Sequence, residues 1–163
     1  MLPTDLTVSA VVQKDGRYLV VEERASGVVV VTQPGGHIEA GESPEQAVVR
    51  ETLEETRCIV EVESLLNVYL WIQPQTRQQF LRIVYVAQFL GEDPALALDD
   101  GIYAVHWFTL DDLNRRRKML RSPVVTRCIE DYLAGRRKPG SLLDGLLPVQ
   151  HNVERVIASA SLV

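Results

Sequence analysis

The stretch from Gln33 to Cys58, QPGGHIEAGESPEQAVVRETLEETRC, constrains this chain more than any other. A Pro34-Gly35-Gly36 turn opens it, and Gly41 follows before a helical pattern begins. Ser43 is a strong N-cap, Pro44 suits the first helical position, and Gln46 completes a Ser-x-x-Gln capping box. The spacing therefore predicts a helix from Pro44 to about Thr56. On such a helix Glu51, Glu54 and Glu55 stand three and four residues apart, so their carboxylates share one face within reach of a common centre. Val49 and Leu53 fall on the other side and are expected to be buried.

Like charges at this spacing weaken an isolated helix by roughly 0.2–0.5 kcal/mol per pair. A run of acids ordinarily forms a solvated face. Here the run is joined at fixed offsets to a capped helix start and a double-glycine turn, which favours a shared task for the acids. Arg50 offsets part of the repulsion. A hard divalent cation with oxygen ligands offsets it better.

These residues resemble the Nudix hydrolases, whose pattern is G-x5-E-x7-R-E-U-x-E-E-x-G-U with U a bulky aliphatic residue. Gly36, Glu42, Arg50, Glu51, Glu54 and Glu55 all fall in place. Thr52 and Cys58 stand at aliphatic positions, and Arg57 stands where the second glycine belongs. That glycine ends the helix with φ > 0, which costs a residue with a Cβ roughly 1 kcal/mol or more. A locally altered helix end is expected there, with the acids before it undisturbed.

The resemblance covers about Thr7 to Ala134 and implies an α+β fold, an α/β/α sandwich around a mixed β-sheet. It implies that Glu51, Glu54 and Glu55 carry Mg²⁺ (Mn²⁺ being the other candidate), joined by the carbonyl near Gly36. Arg50 then orients a glutamate and Glu42 supports Arg50. The general base is left open among Glu54, Glu51 and the loop acids Asp99 and Asp100, which a solvated loop would equally explain. Such a site suits attack of water on a phosphoanhydride, because metals neutralise phosphate oxygens and acidify a bound water.

VVEE, QPGGH, Trp71-Ile72-Gln73-Pro74, Leu81-Arg82 and RSPVV at Arg121–Val125 narrow the likeness to the bacterial phosphatase branch of the family, the NudJ type. That branch implies nucleoside di- or triphosphates, or thiamine-related pyrophosphates, as substrates. Candidate substrate contacts are Gln33 to a base, Trp71, Tyr69 and Phe80 stacking on a ring, and Arg82 on a phosphate, although an exposed ion pair would equally suit Arg82. His37 at the turn is read as structural, and Trp107 and Phe108 as packing.

The 163 residues suit one domain, numbered 1–163, with a core at about 7–134 and a C-terminal tail at 136–163. A net charge of −5 and a pI near 5.2 argue against binding a nucleic-acid backbone. They leave phosphorylated small molecules open, since a bound cation inverts the local field. Cys58 and Cys128 lack metal-like spacing and are read as reduced thiols. With no leader and no apolar run near ~20 residues, the expectation is a cytoplasmic protein without a membrane partner. The oligomeric state, monomer or homodimer, is open.

Along the chain, strands are expected at Thr7–Gln13 and Tyr18–Glu23 around a Lys14-Asp15-Gly16-Arg17 hairpin turn. More strands are expected at Val28–Val31, Ile59–Val62, Leu65–Ile72, Gln78–Leu90 and Ala104–Phe108. Helices are expected after Thr109 and from Ser122-Pro123 to about Ala134, and a short one within His151–Ala160. The basic run Arg115–Lys118 is read as complementing a helix end. Glu22 and Glu23 are read as solvent-facing or ion-paired. Two other readings stand beside the enzyme: a non-catalytic nucleotide sensor, supported only by Arg57, and an interaction module whose acidic helix is simply solvated.

Overall fold

The computed structural model describes residues 1–146, so the expected helix within His151–Ala160 lies outside the described residues. β1 (Thr4–Lys14) and β2 (Arg17–Ala25) are joined by Asp15-Gly16 with φ of +50° and +73°. Left-handed conformations at both central residues are what a two-residue hairpin loop of the right twist requires. Ser26-Gly27, at +49° and +83°, repeats the device before β3 (Val28–Thr32). β4 (Cys58–Ile72) and β5 (Gln79–Glu92) form a long antiparallel ribbon, and β6 (Ile102–Phe108) completes the sheet. β4 is one strand where the sequence predicted two. Register shifts at Ile59/Val60, Val62/Ser64 and Leu65/Asn67 absorb the break in alternation as bulges.

The strand order is β3-β2-β1-β5-β4, with β6 on the other side of β2. β1 runs parallel to β5 from Thr4↔Gln79 to Val12↔Ala87, and the other pairings are antiparallel. β1 pairs with β2 only at Gln13↔Tyr18 and Lys14↔Arg17, then diverges from it. The glycine turn fills the wedge. Val8 N–H donates to the Gly36 carbonyl (2.9 Å), Ala10 N–H donates to the Pro34 carbonyl (3.1 Å), and His37 bridges Thr7.

Alternation places Val8, Ala10 and Val12 of β1 on one face with Ile83, Tyr85 and Ala87 of β5, under α1 (Pro44–Thr56). Val11, Val84 and Val86 point to the other face, under Leu113 of α2 (Leu110–Arg115) and Cys128 and Ile129 of α3 (Val124–Leu133). This is the expected α+β sandwich around a mixed sheet. Both cysteines are free and buried. Among the described residues no helix is long and apolar enough to cross a membrane.

Helix α1 starts as predicted. The Ser43 hydroxyl accepts from Gln46 N–H (3.1 Å) while the Gln46 side chain accepts from Ser43 N–H (2.9 Å). Its buried stripe differs: Ala47, Val48, Thr52 and Thr56 face the sheet, leaving Val49 and Leu53 half-buried. The threonines tolerate burial because each hydroxyl donates one turn back, Thr52 to the Val48 carbonyl (2.7 Å) and Thr56 to the Thr52 carbonyl. The helix end is not altered by Arg57. The arginine itself takes the glycine's conformation, φ +63°, and its N–H donates to the Leu53 carbonyl (2.8 Å).

Thr109 and Asp112 cap α2 reciprocally. Three of the four basic residues at its end have local partners: Arg115 pairs with Asp112 (2.8 Å), Arg116 donates to the Asp112 carbonyl (3.0 Å) and covers the Phe108 ring, and Arg117 donates to Asn114 Oδ1 (3.3 Å). The described part of the tail, expected to be irregular, includes a 3-10 helix at Gly140–Leu146 that sets Leu143 into the α1-side core.

Candidate active site

Gly35 and Gly36 are required where they stand. Gly35 has φ +156°, and a Cβ there would overlap the Val8 carbonyl oxygen and crowd Ser9. At Gly36 a Cβ would lie 2.5 Å from Glu51 Oε1. The turn can therefore lie flat on β1 and still meet the acidic face of α1. Glu55 Oε2 accepts the Gly35 N–H at 2.9 Å, and the Glu51 carboxylate sits against Gly36.

Arg50 organises the rest. Its Nε and Nη2 grip Glu42 at 2.5 and 3.0 Å, Nη1 reaches Glu51 (3.0 Å) and Glu54 (2.9 Å), and Nη2 also donates to the His37 carbonyl (3.1 Å). The structure thus brings Arg50 and Glu42 together. The bond from Arg50 holds Glu42 below the usual carboxylate range, and the same contacts raise the guanidinium further.

Burial pushes Glu51 above the usual range, and Arg50 only partly opposes it. Glu55 is 7% exposed, and burial pushes it up to about 8 despite the Gly35 N–H, with Glu23, Glu51 and Asp99 adding repulsion. The three acids share a face as expected, yet Arg50 draws Glu54 and part of Glu51 toward itself while the turn holds Glu55. Among the described residues no three such side chains stand in a ready metal-holding group. The donor set still fits a hard cation. It is all carboxylate, two of its members resist ionisation, and the space beside Glu51 is kept free of a Cβ. The Gly36 carbonyl already accepts from β1, leaving one lone pair.

The other sequence-predicted residues divide. Asp99 N–H donates to the Glu54 carbonyl (3.1 Å), and its charge acts on both Glu51 and Glu55, so the loop before β6 does reach the site. Asp100 is exposed and has no such contact among the described residues. Gln33 is 2% exposed and donates to the Val125 carbonyl at 2.7 Å, which anchors α3 and removes it from base recognition. Trp71 and Phe80 stack at 5.8 Å across β4 and β5. Tyr69 instead donates to Asp131 (2.7 Å). Arg82 is buried rather than in an exposed ion pair.

Sequence reasoning assigned no role to Arg121, which pairs with Glu23 next to the Trp71–Phe80 stack. A register shift between Glu22 and Glu23 on β2 accompanies this arrangement. The sequence signals were its place in the RSPVV phrase and its position as a cation directly before the Ser122-Pro123 helix start. Cavities of about 510 and 610 Å³ flank Trp71, and Glu23, Phe80 and Arg121 line the first. That size suits a small molecule.

The NUDIX domain family matches residues 3–127. Phosphatase NudJ of Escherichia coli (strain K12) is 32% identical over 139 residues, 85% of this chain and 90% of the relative. Among solved structures, a NUDIX hydrolase from Nitrosomonas europaea superposes with a TM-score of 0.81 at 40% identity, covering 87% of this chain and 96% of that one. A MutT NUDIX hydrolase from Burkholderia pseudomallei gives 0.61 at 30%, covering 78% and 97%.

Proposed function

Because the chain belongs to the Nudix hydrolases, we propose that it is a Mg²⁺-dependent pyrophosphohydrolase of the phosphatase type. Its proposed substrates are nucleoside di- or triphosphates or thiamine-related pyrophosphates, cleaved at a phosphoanhydride by water. The observation that carries this reading is that Glu51 and Glu55 meet the Gly35-Gly36 turn while Arg50 holds Glu51 and Glu54 on the same helix face.

Glu51, Glu54 and Glu55 would hold Mg²⁺, or Mn²⁺ in its place. When bound, the ion supplies charge that neutralises phosphate oxygens and makes a water more acidic. Glu42 fixes the Arg50 guanidinium through two hydrogen bonds, so Arg50 sets the positions of Glu51 and Glu54. Glu54 Oε1, the oxygen that Arg50 leaves free, takes the proton of the attacking water in this reading. Asp99 is the second candidate, carried by its tie to the end of α1. Trp71 and Phe80 offer the leaving group an aromatic wall.

The sensor reading rested on Arg57. That residue preserves the helix end instead of disturbing it, and this favours turnover. Phosphate release measured over nucleoside di- and triphosphates and thiamine pyrophosphate, with Mg²⁺, Mn²⁺ or chelator, tests the proposal. Release should require metal and fall at least 100-fold in Glu54→Gln, on the usual scale of lost general-base catalysis. No release from any substrate at high enzyme concentration would refute it.

A further inference from the structure

We propose that Arg82 and Arg121 form an anion-binding subsite beneath the Trp71–Phe80 pair, receiving a phosphoryl group of the substrate that the α1 acids do not hold. The subsite's role rests on the hydrolase reading; its existence does not.

Arg82 carries the argument. It is 8% exposed, yet among the described residues no carboxylate lies within ion-pair distance of it. Its only hydrogen bonds there are long ones, from Nε to Thr7 Oγ1 (3.4 Å) and from Nη1 to Thr32 Oγ1 (3.5 Å). A guanidinium has five donors, and burying one without a counter-charge is costly. Arg121 lines the same narrow cleft, with Tyr69, Trp71, Phe80 and Ser122. Among the described residues the one carboxylate at ion-pair distance of either guanidinium is Glu23, which pairs with Arg121; Glu23 and Glu55 act on Arg82 only from farther off.

The cleft has room for about 10 Å³, roughly one water, so a phosphoryl group enters only if a wall moves. Arg121 is that wall. It borders both the cleft and the cavity of about 510 Å³, and its Cζ stands 5.7 Å from the Phe80 ring centroid. A phosphoryl oxygen replacing Glu23 as its partner places the anion between both cations. The Ser122 hydroxyl, which accepts from Val124 N–H at 3.2 Å, keeps its own proton to donate.

The test uses the full chain with Trp107→Phe, so that Trp71 alone reports, in chelator so that no turnover intervenes. Titration with inorganic phosphate should give a saturable Trp71 fluorescence change, at least tenfold weaker in Arg82→Met and in Arg121→Met. Arg82→Met should melt at or above the parent temperature, because it removes an unpaired buried charge. A phosphate affinity unchanged by Arg82→Met, or no saturable binding in the parent, overturns the proposal. In the Mg²⁺ assay Arg82→Met should raise KM and keep kcat; turnover with unchanged KM also overturns it. Phosphate binding that depends on Arg82 in a protein without any turnover would sink the hydrolase reading and uphold the subsite.

Discussion

Glu55 is the most buried acid of the site, and ionising it works against the fold. Its carboxyl is pushed from the ordinary carboxylate range up to about 8, chiefly by burial. A carboxyl that holds its proton more tightly when folded stabilises the protein fully below its unfolded value. That stabilisation is lost as pH rises toward 8. In chelator, the melting temperature should therefore fall between about pH 5 and 8, and Glu55→Gln should flatten the fall, since the amide keeps the shape without titrating. Thermal melts across that range check it; a parent curve as flat as the variant's would contradict the burial argument. Glu51, raised by the same cause, adds to the slope in the same direction. The neighbouring glycines separate two failures. Gly35→Ala drives a Cβ into the backbone of β1, where nothing yields, and should cost at least roughly 1–3 kcal/mol in urea unfolding. Gly36→Ala meets a movable carboxylate instead. It should leave the unfolding free energy within about 1 kcal/mol of the parent, because the carboxylate can swing aside, while phosphate release drops as Glu51 is displaced.

Helix α1 was legible because its signals are local. Ser43, Pro44 and Gln46 set its start, and the glutamate spacing set its acidic face. The buried stripe was misplaced because threonine reads as polar in sequence, although Thr52 and Thr56 satisfy their hydroxyls within the helix. Gln33 was misread for a related reason: its partner, the Val125 carbonyl, lies 92 residues away. Arg57 was recognised as standing on a glycine position, but whether the backbone or the residue would yield needed the fold. The residue yields, at φ +63°. Arg57→Gly should then stabilise the chain by roughly 0.5–1 kcal/mol, the left-handed penalty less glycine's extra unfolded entropy. Arg57→Val should destabilise it by about 1 kcal/mol or more, because a branched Cβ suits that region least. Urea midpoints give both signs. Phosphate release should be unchanged in each, as the α1 acids all precede the cap; lost activity with an intact fold would mean that Arg57 touches the chemistry.

At the scale of the molecule, the site exists because the sheet opens. β1 leaves β2 after two residue pairs to run with β5, and the glycine turn takes the vacated edge, which brings residues 35–36 against residues 51–55. No local pattern announces that divergence, so the sequence could place the acids on a helix but not say what faced them. The same geometry leaves like charges gathered in a half-buried place with Arg50 as their only close cation among the described residues. A divalent ion that binds the folded chain alone stabilises it by mass action, about 2.7 kcal/mol at 100 times its dissociation constant. For a chain of this size that is a melting shift of roughly 5–10 °C. Mg²⁺ should produce it in the parent at pH 8, where Glu55 gives up its proton most readily, and less at pH 6, where the ion must displace that proton. Glu51→Gln with Glu54→Gln should abolish the shift while still melting cooperatively. If Mg²⁺ moves the parent and this double variant equally, the acids are a solvated face after all, and the cation acts elsewhere.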